Sequence, residues 1–297
     1  MRSPHTTHAL RAFILAIAAL APYAAPAAPT LTLSAGAQTD DSGASTTDAG
    51  LDWGPNDTLS LSIAAGHVKG DSEDSNLSSD FSATTATADM SWQPLERLGF
   101  ALGYDLWDDS NSYEKRTARG AVYLGGPRLR AGLLAESVTS ETTAELTARR
   151  QTSLSFDGSG YGLDLRATGE RGDLYATYLT YDYDESVGRL ATFLSNPNLA
   201  TRPRLESLVN SRLTAAAALL DNSLVVGGDV FIRQARIGLA FSQYQDIVSD
   251  STTRAVQSDF EWSLSSRWAM RLTAGVSDSE ETNSSVFGGV RILFHGM

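Results

Sequence analysis

The chain has 297 residues, 42% of them hydrophobic and 20% charged, with no cysteine and a formal net charge of -12. A mean hydropathy of -0.17 excludes a multi-helix membrane protein, and the lack of cysteine excludes disulfide scaffolds, thiol catalysis and thiolate metal sites. The acidic balance argues against nucleic acid as a partner, because phosphate binding needs clustered Lys and Arg.

Residues 1–27 have the order of a secretory signal. Arg2 and Arg11 supply positive charge, and Ala12 to Ala21 form an apolar run of about ten residues, too short to cross a bilayer. Ala25-Pro26-Ala27 then offers small residues for cleavage. Arg2 and Arg11 are the formal charges of this segment, so a chain trimmed there carries -14. Residues 28–297 are then read as one domain.

After residue 28, alternation of apolar and polar residues is nearly continuous, with turn signals between the runs. Leu31, Leu33, Ala35 and Ala37 begin it. Ala49, Leu51 and Trp53 follow, then Leu59 to Ala65, and Ala86, Ala88, Met90 and Trp92. Phe100 to Leu106, Ala118 to Leu124, Leu129 to Ala135 and Tyr161 to Leu165 continue the pattern. Tyr175, Thr177, Leu179, Tyr181 and Tyr183 form the ninth run, with Asp182 on its other face. Leu224 to Ile232, Ile237 to Phe241, Val256 to Trp262, Trp268 to Val276 and Gly288 to Phe294 complete fourteen.

Connections divide the runs into pairs. Short turns (Gly54 to Asp57, Gln93 to Arg97, Gly125 to Pro127, Thr168 to Gly172, Gln234-Ala235, Leu264 to Ser266) alternate with longer polar segments. The longer ones are Asp40 to Thr46, His67 to Asp80, Asp108 to Lys115, Val138 to Thr152, Asp184 to Asn222, Gln245 to Thr253 and Ser277 to Ser284. An even strand count with short turns at one end and long loops at the other predicts an all-β, closed antiparallel transmembrane β-barrel of about 14 strands with both termini periplasmic. Residues 138–160 and 203–222 read either way, which spreads the count from 12 to 16. Trp53, Trp92, Trp262 and Trp268 fall on the apolar face beside the short turns, as an interfacial aromatic girdle requires.

The signal, the dyad strands and the ending Phe287-Gly288-Gly289-Val290-Arg291-Ile292-Leu293-Phe294 resemble bacterial outer-membrane β-barrel proteins of the porin-like kind. The resemblance implies residence in the cell outer membrane among its lipids. It also implies handling by the barrel-assembly machinery, which reads a last strand ending in an aromatic. His295, Gly296 and Met297 after Phe294 depart from that ending.

One segment breaks the alternation. From Pro203 to Leu220 the apolar residues stand near helical spacing, between a Pro start and an Asp221-Asn222 end. The expectation is a helix in the longest extracellular loop that folds into the mouth as a plug, through Leu205, Leu208, Arg212 and Leu219. The competing reading makes Leu208 to Leu220 a fifteenth strand. A plug would pack on inward small positions such as Gly227, Gly238 and Gly275.

The polar faces carry the lumen candidates Arg119, Arg130, Glu136, Asp164, Arg166, Asp229, Arg233, Asp259, Glu261, Arg271 and Arg291. Charge is tolerated there, whereas a midplane Arg on the lipid face costs about 2–4 kcal/mol. Two readings of these charges compete: a charged pore wall that passes small polar solutes by passive or modestly selective diffusion, or cross-lumen salt bridges that fill the bore. The matching alternative function is a non-conducting surface protein for adhesion, phage or envelope contact. An outer-membrane hydrolase is less well supported, since His67 and His295 are the histidines left after residue 27 and no nucleophile–base pair can be named. Asp71, Glu73, Asp74 and Asp80 and the group Asp278, Glu280 and Glu281 lack calcium-loop spacing, so neither metal nor cofactor is expected.

Overall fold

The computed structural model describes residues 29–296 except 42, 71–80, 110–112, 127, 148–149, 185–218, 248–249 and 281–283. Residues 1–27, the acidic segment from Asp71 to Asp80, and Leu205, Leu208 and Arg212 lie outside the described residues.

Fourteen strands form one closed antiparallel barrel. They are β1 (Thr30–Asp40), β2 (Ser45–Asn56), β3 (Leu59–Gly70), β4 (Phe81–Leu95), β5 (Leu98–Asp109), β6 (Tyr113–Gly125) and β7 (Leu129–Thr147), followed by β8 (Arg150–Gly169), β9 (Gly172–Tyr183), β10 (Leu220–Ile232), β11 (Ala235–Asp246), β12 (Thr252–Ser263), β13 (Trp268–Ser279) and β14 (Ser285–Gly296). Each strand pairs with its sequence neighbours, and β1 closes the ring on β14 from Leu31↔Gly296 to Asp40↔Phe287. Closure satisfies every ladder without an edge, which is what lets a sheet sit in lipid.

The start of β1, the end of β14 and the short turns share one rim, the periplasmic one in this architecture. The turn after β10 is two residues long, and Arg233 there takes a positive φ of 53°. At the opposite rim, the predicted loop from Val138 to Thr152 is mostly strand: β7 runs to Thr147 and β8 begins at Arg150. This hairpin extends past its neighbours, which are mostly 11–13 residues long.

The apolar members of the alternation face outward. Leu33, Ile63, Leu102, Leu133, Leu163, Leu239, Leu272 and Val290 are all exposed on the barrel exterior. Trp53, Trp262 and Trp268 lie exposed near the periplasmic rim, and Trp92 stacks on Phe100 with ring centroids 5.9 Å apart. Strand β9 corrects the sequence reading. Thr177 and Tyr181 hydrogen-bond to the lumen carboxylates Asp164 and Glu136, so the face with Tyr175, Leu179 and Tyr183 points inward. Leu174 and Tyr178 are the lipid-facing residues, and Asp182 is exposed on the outside. Aromatic and aliphatic residues occupy both faces of this strand, so period two alone does not say which is the outer one.

Candidate functional site: a two-storey lumen

The inner wall divides by height. Counted from the periplasmic end of its strand, Arg119 is six residues above Gly125 and Asp164 five above Gly169. Trp107 is nine above Leu98 and Phe156 thirteen above Gly169. Charged side chains line the lower storey, and apolar ones fill the upper.

In the lower storey the guanidiniums are anchored along the wall. Arg119 on β6 pairs with Asp89 on β4 at 2.8 Å and Asp105 on β5 at 3.0 Å. Arg166 and Asp164, two residues apart on β8, pair at 3.0 Å, and Thr177 donates to the other Asp164 oxygen at 2.7 Å. Arg236 on β11 pairs with Asp229 on β10 at 2.7 Å. Arg271 on β13 donates through Nε to Glu261 on β12 at 2.9 Å, and Arg291 on β14 reaches Asp48 on β2 at 2.7 Å. Asp259 accepts from Thr273 at 2.6 Å and Gln257 at 2.9 Å. Glu136 accepts from the Tyr181 hydroxyl at 2.7 Å. Arg130 lies over the Tyr123 ring, 4.4 Å from its centroid, a cation–π contact.

None of these described ion pairs crosses the bore; each joins groups on the same strand, on adjacent strands, or on strands one apart. Inward glycines make the longer reaches feasible. Gly103 lies between Asp89 and Arg119 in the ladder, and a Cβ there would overlap Asp89 Oδ1 and stand 2.7 Å from Arg119 Nε. Gly36 plays the same part between Asp48 and Arg291, and Gly160 between Glu136 and Tyr181. A cavity of about 370 Å³ remains against this wall, lined by Asp89, Arg119, Glu136, Asp164, Arg166 and Thr177 among others.

The upper storey is packed mostly by apolar side chains, with Lys115 and Ser140 buried there as well. Val68, Ala83 and Trp107, all at most 2% exposed, cluster with Tyr113. Phe156 and Leu219 cluster with Tyr183 and Ile247, and Leu220 and Tyr244 with Tyr181. A bulge between Leu220 and Asn222 shifts the register of β10 and lets Leu220 join this interior. On the outside at the same height the pattern reverses, with Lys69, Asp182, Arg254 and Asp278 exposed. Each strand is therefore transmembrane in its lower part, apolar outside and charged inside. On strands such as β3, β5, β8 and β11 the outer end is built like a water-soluble barrel, with its apolar groups inside.

By register Arg119, Arg130, Glu136, Asp164, Arg166, Asp229, Asp259, Glu261, Arg271 and Arg291 are on the inner face. Arg233 sits exposed in the β10–β11 turn, not on the inner wall. The apolar alternation through Val230 and Ile232 carries on one residue too far, and the left-handed turn takes Arg233 out of the strand. Leu219 is buried against Phe156 in the mouth. The three inward glycines named as plug contacts are already covered: Gly227 by Tyr175, Gly238 by the Asp229 carboxylate and Gly275 by Phe287. His67 is on β3, half-buried, one residue from the interior-facing Val68, so it faces the exterior. Sequence reasoning missed Tyr181 and Tyr123, whose partners appear only once the register is known. It also missed Lys115, which is 7% exposed near Glu136, Asp105 and Asp246.

The fold and the lumen together define a fourteen-stranded outer-membrane β-barrel with porin-like architecture. Its fold likeness to one solved channel agrees. The chain superposes on the CymD monoaromatic hydrocarbon channel with a TM-score of 0.51 and 9% identity, over 90% of this chain and 87% of that one. It also matches OmpTdeltaL8, a loop-deletion mutant of OmpT, an outer membrane protein of Vibrio cholerae, at TM-score 0.47 and 11% identity, over 90% of this chain and 98% of that one. The KdgM porin in complex with disordered oligogalacturonate gives a TM-score of 0.44 at 9% identity, over 89% and 98%. No family model and no curated relative matches the sequence.

Proposed function

We propose that the barrel is a channel for passive, modestly selective diffusion of small polar solutes, with a preference for cations and neutral molecules. The observation that carries the reading is the direction of the ion pairs: they run along the wall and leave the bore of the lower storey unbridged. The sign of the preference follows from the wall charges. In the lower storey Asp48, Asp52, Asp89, Asp105, Glu136, Asp164, Asp173, Asp229, Asp259 and Glu261 face inward by register, against Arg119, Arg130, Arg166, Arg236, Arg271 and Arg291. Ten carboxylates against six guanidiniums leave a negative wall, and a cleft of one sign concentrates the opposite ion. In this reading the export signal is residues 1–27, and Leu219 with its neighbours narrows the extracellular mouth.

A second reading has one observation in its favour. The upper storey is packed to 0–2% exposure at Val68, Trp107, Val138 and Phe156, which suits a non-conducting surface barrel. Planar-bilayer recording across a salt gradient separates the two. Discrete conductance steps with a cation-sign reversal potential are expected, with the preference reduced by Asp89→Asn together with Glu136→Gln. Folded protein that never conducts, or one with anion preference, overturns the proposal.

A further inference from the structure

Two groups of arginines stand out among the described residues. Those of the lumen wall are ion-paired or stacked. A second set lies at the periplasmic rim: Arg97, Arg128, Arg171, Arg233 and Arg267 are all exposed in the short turns. No ion pair is formed by any of them among the described residues.

Four of the five are positioned alike. The backbone carbonyl of Arg97 accepts from Gly125 N at 3.0 Å, that of Arg128 from Thr168 N at 2.9 Å, that of Arg171 from Phe231 N at 2.9 Å, and that of Arg267 from His295 N at 2.7 Å. The remaining two turns repeat the bond through Thr58 and Gln234, from Gln93 N at 2.7 Å and Ser263 N at 2.9 Å. These are six equivalent places around the rim, so the four guanidiniums leave the barrel at one level, fixed by the ladder itself. Arg233 precedes Gln234 and adds a fifth cation beside that level.

Just above this level is the apolar belt. Leu98, Leu129 and Trp268 directly follow Arg97, Arg128 and Arg267, and Trp268 packs on Phe294 with centroids 4.9 Å apart. An arginine next to an interfacial aromatic or leucine lies with its stem along hydrocarbon and its head among headgroups. The turn acids are fewer: Asp57, Glu96 and Glu170. The rim is therefore a basic collar on a chain of net charge -12.

We propose that this collar binds the phosphates of anionic phospholipids in the inner leaflet of the outer membrane. Arginine matches phosphate geometry through its planar fork of donors, and juxtamembrane basic groups favour anionic lipid surfaces. The charge of the whole chain predicts the opposite, repulsion from an anionic bilayer.

The rim tryptophans supply the readout. Trp53, Trp92, Trp262 and Trp268 lie on the lipid face near the collar, whereas Trp107 is 2% exposed in the interior. Full-length protein refolded into vesicles is compared with phosphatidylcholine or phosphatidylglycerol as the bromine-bearing quencher, at equal mole fraction. Quenching is expected to show a preference of at least about twofold for phosphatidylglycerol at low salt, fading in high salt. Arg97→Gln, Arg128→Gln, Arg171→Gln and Arg267→Gln together should abolish the preference, and the same four positions as Lys should keep most of it. Should the Gln variant fail to fold, the salt dependence of the wild type still decides. Equal quenching by both lipids at low salt overturns the proposal and leaves the collar to a soluble periplasmic polyanion. A preference that survives the Gln variant overturns it as well.

Discussion

Gly103→Ala isolates the role of the inward glycines. The residue lies between Asp89 and Arg119 in consecutive ladder positions. Its new methyl would overlap Asp89 Oδ1 and stand 2.7 Å from Arg119 Nε. Both obstacles are ends of flexible side chains, so the pair gives way and the backbone stays. Losing a charge-assisted bond costs about 1.5–3 kcal/mol when buried and about 0–1 when exposed. Arg119 and Asp89 are 39% and 42% exposed, which argues for the middle of the combined range, about 1–2 kcal/mol. Ala in place of a strand Gly returns about 0.5–1 kcal/mol. The net expectation is a loss of about 1 kcal/mol. Gly120, one strand away and facing lipid, is the control: a Cβ there meets only Leu102 Cδ2 at 3.9 Å, so Gly120→Ala should gain about 0.5 kcal/mol.

Urea titration of the protein in lipid vesicles, followed by tryptophan emission and by the gel shift of unboiled samples, measures both variants. Repeating Gly103→Ala in an Asp89→Ala background closes the cycle: with one obstacle gone the penalty should shrink by at least about 0.5 kcal/mol. Equal stabilities for Gly103→Ala and Gly120→Ala, or no coupling with Asp89, would refute the idea that a bare backbone is needed for Arg119 to reach over β5.

Two further expectations follow from the same geometry. Asp41, in the β1–β2 loop, has its carboxyl held below the ordinary value of 3.8, chiefly by the Ser285 hydroxyl at 2.7 Å and then by backbone hydrogen bonding. As pH falls the unfolded chain takes up the proton first, so this stabilisation is whole above about pH 4 and is lost as pH drops through the lower folded value. Unfolding midpoints of wild type and Ser285→Ala from pH 7 to pH 2 should therefore converge at the acid end, and a constant gap would be evidence against the contact. Phe156→Ala combined with Leu219→Ala opens the packed mouth at a cost of about 2–5 kcal/mol for each buried side chain. Bilayer conductance of the folded variant should rise severalfold, and an unchanged value would show that the upper storey is not the resistance to flow.

Strand number and the lower storey were legible in the sequence because lipid outside and water inside impose strict alternation over about ten residues. The upper storey was not, because the two faces exchange character partway along strands such as β3, β5, β8 and β11. Its trace is a pair of adjacent apolar residues at the outer end, as in Leu106-Trp107, Val286-Phe287 and Leu219-Leu220, where one belongs to each pattern or a bulge turns both inward. On β9 Tyr satisfies both patterns, with a ring for lipid and a hydroxyl for a lumen carboxylate, so its period was visible and its phase was not. The hairpin from Val138 to Thr152 read as a loop because its Thr, Ser and Glu residues stand where no lipid demands apolar side chains.

Whether a charged lumen is bridged or open is decided less by how many charges it holds than by where its glycines fall. Ten inward carboxylates and six guanidiniums could pair across the bore. The longer of these pairs run along the wall because a strand that presents bare backbone between two partners lets a side chain lie flat over it. Gly103 does this under Arg119, Gly36 under Arg291, Gly160 under Tyr181 and Gly132 under Tyr123. In each case the glycine and the residue above it are register partners on adjacent strands. The relation is between positions 9 to 255 residues apart in sequence, so it exists only in the paired sheet, and no local period encodes it. A larger residue at such a place would lift the long side chain off the wall and into the path of solutes. The narrowing of the lower storey is thus set at its glycines, and the same four positions are where substitution should change both conductance and stability at once.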